Sequence, residues 1–164
     1  MIAEDIKQQA SGRNKSSAWY VNALQNALME VQSIDVSTQD TSGISIGDLF
    51  FFSYSPRFPE RYPFWDVQPL AVPLTFYRDG FLGCNLHYVN PGYRDSVAES
   101  LLNSGGGASV PKNTIHKYLY SGIGNLQKVP RSEDWGEISK FPTEQFIQQN
   151  GMKYPKYRAF NSKK

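Results

Sequence analysis

The sequence predicts an α+β fold: a small, curved antiparallel sheet or partly open, SH3-like barrel centred on residues 46–89, with short flanking helices and extended polar termini. Three observations predict it. An aromatic, strand-like run begins at Ile46, an Asp-Gly pair at 79–80 separates two further apolar runs, and an amphipathic stretch, "SSAWYVNALQNALMEVQ", precedes them all. A length of 164 residues suits one domain with a real core, and the 14% aromatic content means that rings supply much of the buried surface.

From the N-terminus, residues 1–15 are polar and read as a mobile arm. Order is expected from residue 16. Ser16 or Ser17 can cap a helix on which Val21, Leu24, Leu28 and Val31 form one apolar stripe. That stripe covers either the domain's own sheet or another subunit. The Ser-, Thr- and Asp-rich segment 33–45 reads as a linker. In "IGDLFFFSYS" aromatic residues occupy both alternating faces, so both should be covered. "PRFPERYPFWDVQP" carries four prolines and implies an irregular loop, whose Tyr62, Phe64 and Trp65 are candidates for the core or for an exposed interface. "PLAVPLTFYR" resumes strand character, with Pro73 demanding an edge or a bulge.

Asp79-Gly80 then supplies the signal of a two-residue hairpin turn. On the strand that follows, period-two alternation sets Leu82, Cys84, Leu86 and Tyr88 on one face and Phe81, Gly83, Asn85, His87 and Val89 on the other. Cys84 and His87 therefore cannot form a thiolate–imidazole pair. The expectation is a buried thiol, an outward imidazole and no catalytic residue. A helix from Asn90 as cap presents Tyr93, Val97 and Leu101 and stops before a flexible joint at Gly105, Gly106 and Gly107. Short helices are expected at 111–122, with Ile115 and Leu119 on one side, at "SEDWGEI", and from Thr143 as cap to Gly151. Residues 16–151 thus form the domain, and 152–164 a basic aromatic tail carrying Lys153, Tyr154, Lys156, Tyr157 and Arg158.

Charge is unevenly spread. Residues 1–110 hold 7 basic and 11 acidic side chains, whereas 111–164 hold 10 basic and 4 acidic, so the C-terminal third is the candidate for polyanion contact. Its tyrosines could stack on unpaired bases while Lys and Arg neutralise phosphates. A single cysteine excludes an intrachain disulfide and suits a reducing cytoplasm. Two histidines and one cysteine without paired spacing argue against a metal site, no cofactor motif is present, and no apolar run approaches membrane-span length.

Three motifs carry a resemblance. They are "GDLFFFSYSP", Gly47 to Pro56; "PFWD" with Pro69 and Leu70; and "DGFLGCNLHY", Asp79 to Tyr88. The later "SEDWGEISKFPTEQF" adds Asp-Trp and Pro-Thr-x-x-Phe. Together they cover about half the chain and resemble a family of small proteins of large contractile-tailed bacteriophages, in which an aliphatic residue usually stands where this chain has Cys84. The resemblance implies either a virion or tail-associated structural protein or a protein acting on the ends of packaged DNA, and brings no catalytic residues. The main expectation is a non-catalytic structural component of the tail, baseplate or neck. It would join other phage structural proteins in a symmetric, multi-copy assembly through its amphipathic helix and arms. Its location would be the virion, and the host cytoplasm during assembly. The alternative expectation is a DNA-binding accessory protein acting on phage DNA ends or packaging.

Overall fold

The computed structural model describes residues 2–29, 33–34, 44–104 and 109–162. Val31, most of the 33–45 linker, the glycine joint at 105–107, Lys163 and Lys164 lie outside the described residues.

The sequence order of helices and strands is α1 (Ile2–Ala10), α2 (Ser17–Met29), β1 (Ser33–Ile34), β2 (Leu49–Tyr54), β3 (Phe64–Asp66), β4 (Leu70–Phe76), β5 (Gly80–Asn85), α3 (Arg94–Ser104), β6 (Ile115–Leu119), β7 (Ile123–Val129), α4 (Trp135–Lys140), β8 (Phe146–Gln148) and α5 (Lys156–Phe160). One sheet has the order β1-β7-β2-β4-β5-β6, and β3 pairs β8 in a second. Every pairing is antiparallel. The α+β architecture expected from the sequence is therefore the one observed, with the sheet open rather than closed into a barrel.

The main sheet is nonetheless strongly curled. Strands β2 and β6 are separated by β4 and β5, which in a flat sheet would hold them roughly 14 Å apart. Yet the Phe52 and Tyr118 rings meet edge-on at 5.3 Å, Tyr54 and Tyr118 at 4.9 Å, and the Tyr54 hydroxyl accepts from Leu119 N at 3.1 Å. The concave core thus consists mainly of rings, with Phe50, Phe52 and Phe81 fully buried. The convex face, built from Leu49, Phe51, Leu70, Val72, Cys84 and Val129, is covered by helices α1 to α4. The alternation of β2 predicted both covered faces; β2 buries adjacent rings on opposite sides.

Several expectations are corrected. Residues 2–10 are not a mobile arm but helix α1, whose Ala3, Ile6 and Ala10 are buried. Asp134 accepts from Ala3 N at 2.8 Å, satisfying an orphan amide at the start of the helix, and Lys7 pairs with Glu137 at 2.6 Å. The α2 stripe faces inward: Val21, Leu24 and Leu28 belong to the domain's own core, so they are not an interface, while Ser16 Oγ caps the helix through Trp19 N at 3.1 Å. In place of the expected helices, the 111–122 stretch holds strand β6 between two 3₁₀ turns, and the 143–151 stretch holds strand β8. A spacing of four residues, as between Ile115 and Leu119, keeps one face in a strand as well as in a helix, and the available edges of β5 and β3 decided the outcome.

The hairpin is present, but its turn differs from the one expected. Tyr77 N donates to Gly80 O at 2.8 Å, so Arg78 and Asp79 are the central residues, and neither Asp79 nor Gly80 has a positive φ. Gly80 is needed for another reason: a Cβ there would lie 2.1 Å from the Tyr118 carbonyl oxygen on β6. Pro73 sits where the β4–β5 register shifts, the bulge that its missing N–H requires.

Candidate nucleic-acid interface

Strand β5 ends at Asn85, and a 3₁₀ turn, Leu86–Tyr88, begins there with the Asn85 side chain accepting from His87 N at 3.0 Å. This break ends the alternation, so the expected outward imidazole is instead fully buried. His87 Nδ1 lies 2.6 Å from Asp66 Oδ2 and Nε2 lies 2.7 Å from Thr143 Oγ1. Asp66 also accepts from Asn85 Nδ2, Gln68 N and Gln145 N, each at 3.0 Å. Burial pushes the Asp66 carboxyl up, but the His87 ring and these donors outweigh it and hold it below the usual carboxylate range.

Next to this array, the buried Arg94 guanidinium donates to the carbonyls of Val89 at 2.8 Å, Ser139 at 2.8 Å and His87 at 3.1 Å, and lies 3.3 Å from Glu144. Burial raises the Glu144 carboxyl as well, and His87, Arg94 and Lys156 bring it below its ordinary value. Neither the sequence spacing nor the composition pointed to this network. Its members come from four separated segments, and the one local signal was a Thr assigned to a helix cap. The order Asp–His–Thr has the form of an activated hydroxyl, with His87 and Thr143 both 0% exposed. What the array does is fasten β3, the turn after β5 and the segment before β8 to one another.

Cys84 takes no part. Its Sγ lies 3.3 Å from Thr114 Oγ1, and burial raises the thiol to about 11. Among the described residues no group of three or more His, Cys, Asp or Glu is placed to hold a metal ion, and no helix is long and apolar enough to cross a membrane.

The accessible feature is a cavity of about 420 Å³ beside this array. Its walls carry six rings: Tyr54, Tyr62, Phe64, Trp65, Tyr88 and Tyr118. Asp66, Asn113, His116, Lys117 and Ser162 add polar groups to the lining. All three aromatic residues proposed from the 56–69 loop are thus brought together here, with Tyr62 at 40% exposure standing furthest into solvent. The Trp65 indole N–H is buried and has no acceptor. A second, open and more polar depression shares Tyr54 and Pro56 with the cavity and is lined by Ser53, Ser55, Arg57, Ser121, Gly122 and Gly124. Arg57 of that depression belongs to an exposed cluster in which the Arg57 and Arg61 guanidiniums stand 5.3 and 4.6 Å from the Phe58 ring. Neither arginine has a carboxylate within ion-pair distance among the described residues, whereas Lys117 pairs with Asp79 at 3.0 Å.

The basic tail is docked rather than free over its described part. Tyr154 stacks on Phe64 at 4.0 Å, Ala159 is fully buried against Tyr88 and Phe146, and Lys156 pairs with Glu144 at 2.8 Å. Lys153, Tyr157 and Arg158 remain exposed. The sequence named the tail's charges but missed that its apolar residues fill a third small core.

Comparison with known proteins adds a family. Residues 1–129 match the family model described as Phage T4 terminal DNA protecting protein. No curated protein and no solved structure matches the chain. The match supports the bacteriophage origin read from the motifs. It overturns the main functional expectation, a structural bridge in tail, baseplate or neck, in favour of the alternative at DNA ends. The structure removes the physical basis of the bridge as well, since its amphipathic helix and both arms are folded into the domain over their described residues.

Proposed function

This chain belongs to the family of the phage T4 terminal DNA protecting protein, and on that premise we propose that it binds the ends of phage DNA and shields them without chemistry of its own. The family match over residues 1–129 carries the reading. It is supported by the net positive charge of residues 111–164 and by the exposed Arg57 and Arg61, which suit phosphate contact. The aromatic cavity beside them suits base contact. The protein works by occupancy: an end covered by a folded domain is closed to an exonuclease. On this reading it remains in the virion with the packaged DNA, and mass spectrometry of purified particles should find it there.

The test is digestion of linear duplex DNA by a processive exonuclease with and without the protein, alongside a covalently closed hairpin-ended duplex in binding assays. Protection of open ends, with affinity falling as salt rises, is the expected result. Equal affinity for open-ended and hairpin-ended duplexes, or digestion at an unchanged rate with protein in excess, would refute end binding.

A further inference from the structure

Resting on that end-binding reading, we propose that the aromatic cavity receives a single unpaired nucleobase at the terminus of the DNA, with Arg57, Arg61 and Lys117 holding the phosphates that follow it. The cavity, at about 420 Å³, falls in the range of small-ligand sites and is far too small for a stacked duplex. A lone base off the helix stack fits it. Base faces stack on aromatic side chains regardless of sequence, which suits a protein that must cover whatever base an end presents.

The surroundings favour a nucleotide over an apolar peptide. Cations stand around the cavity: Arg61 adjoins the wall residue Tyr62, Arg57 lines the neighbouring depression that shares Tyr54 and Pro56 with the cavity, and Lys117 lies on the wall, where a phosphate would compete with Asp79 for it. That depression offers the Ser53, Ser55 and Ser121 side chains and the glycine backbone of Gly122 and Gly124, groups suited to a sugar-phosphate chain. Trp65 lies on the wall and its buried indole N–H has no protein acceptor, so a small shift of the ring on binding would let a base satisfy it.

The geometry also explains preference for an end. Taking an internal base out of a duplex breaks its pair and both of its stacks, whereas a terminal or overhanging base has at most one stacking neighbour, so the same cavity gains more from an end than from the interior.

The experiment uses the full chain and a duplex with a one-nucleotide 3′ overhang bearing 5-iodouracil. Irradiation of the complex followed by peptide mapping should place the cross-link on Tyr62, Phe64, Trp65, Tyr88 or Tyr118. Tyr62→Ala removes the most exposed ring and should weaken overhang binding about 5- to 10-fold, the lower end expected for loss of one stacking platform. Lys117→Ala, at an exposed position, should reduce the salt dependence of binding by about one phosphate contact. Thermal melting of both variants checks that they fold. Cross-links elsewhere, or an unchanged overhang affinity in Tyr62→Ala while ends are still bound, would overturn the cavity assignment, leave end binding standing and return the cavity to another occupant such as a peptide. Absence of any end binding by the unaltered protein would overturn the reading beneath it and this inference together.

Discussion

Replacing Asp66 should be among the most damaging single changes in the protein. The carboxylate is 2% exposed and accepts from four donors: His87 Nδ1 at 2.6 Å and Asn85 Nδ2, Gln68 N and Gln145 N at 3.0 Å each. Asp66→Ala leaves all four without their protein acceptor. One unsatisfied buried donor costs about 1–3 kcal/mol. The costs are not additive, because a small cavity admits water and the chain relaxes, so a total of about 4 kcal/mol is expected. Against a typical stability of about 5–15 kcal/mol, that lowers the melting temperature by roughly 8–16 °C. Asp66→Asn keeps the shape, removes the charge and turns one acceptor into a donor, so it should lose somewhat less. The pH dependence has a fixed sign. A carboxyl held below its ordinary range in the folded state contributes stability that is present above the unfolded value, about 4, and is lost as pH falls through the folded one. The advantage of the natural protein over Asp66→Asn should therefore be larger at pH 7 than at pH 3. Urea unfolding followed by the fluorescence of the three tryptophans, of which Trp135 is buried, measures both quantities. A loss below about 1 kcal/mol for Asp66→Ala, or an advantage that grows on acidification, would refute the account of this array.

Two further outcomes follow from the packing. Gly80→Ala places a methyl group 2.1 Å from the Tyr118 carbonyl oxygen, a backbone atom that cannot swing aside, and should lower stability by about 1–3 kcal/mol through strain on the β5–β6 pairing; a melting temperature equal to that of the unaltered protein would show that β6 does not pack there. The Cys84 thiol, raised to about 11 by burial, should resist a thiol-specific disulfide reagent at pH 8 in the folded protein and react fully in denaturant. Complete labelling of native protein within minutes would contradict its position in the core.

Legibility in the sequence followed the range of the interactions. Alternation along 49–54 specified a strand buried on both faces, Ser16 or Ser17 offered a cap, and the proline at 73 demanded an edge or a bulge, because each depends on neighbours a few residues away; the structure chose Ser16 and the bulge. The cavity was half legible: Tyr62, Phe64 and Trp65 stood out as rings in a proline-rich loop, but Tyr54, Tyr88 and Tyr118 read as ordinary strand and turn residues. The first ten residues misled because two of the three buried positions in α1 are alanines, whose small apolar surface gives no visible stripe until Asp134 and Glu137 of a distant segment fix the helix in place.

By itself the sequence determined the class of fold, the presence of a hairpin and the burial of Cys84. Each is encoded by residue spacing along a single segment. Only the tertiary structure decided that 115–119 and 146–148 are strands, that both arms are docked, and that His87 turns inward to join Asp66 and Thr143. Those outcomes depend on which edge, carboxylate or ring another part of the chain offers. A short segment whose apolar residues fit either a helix or a strand takes the form that satisfies its backbone groups against the partner it meets.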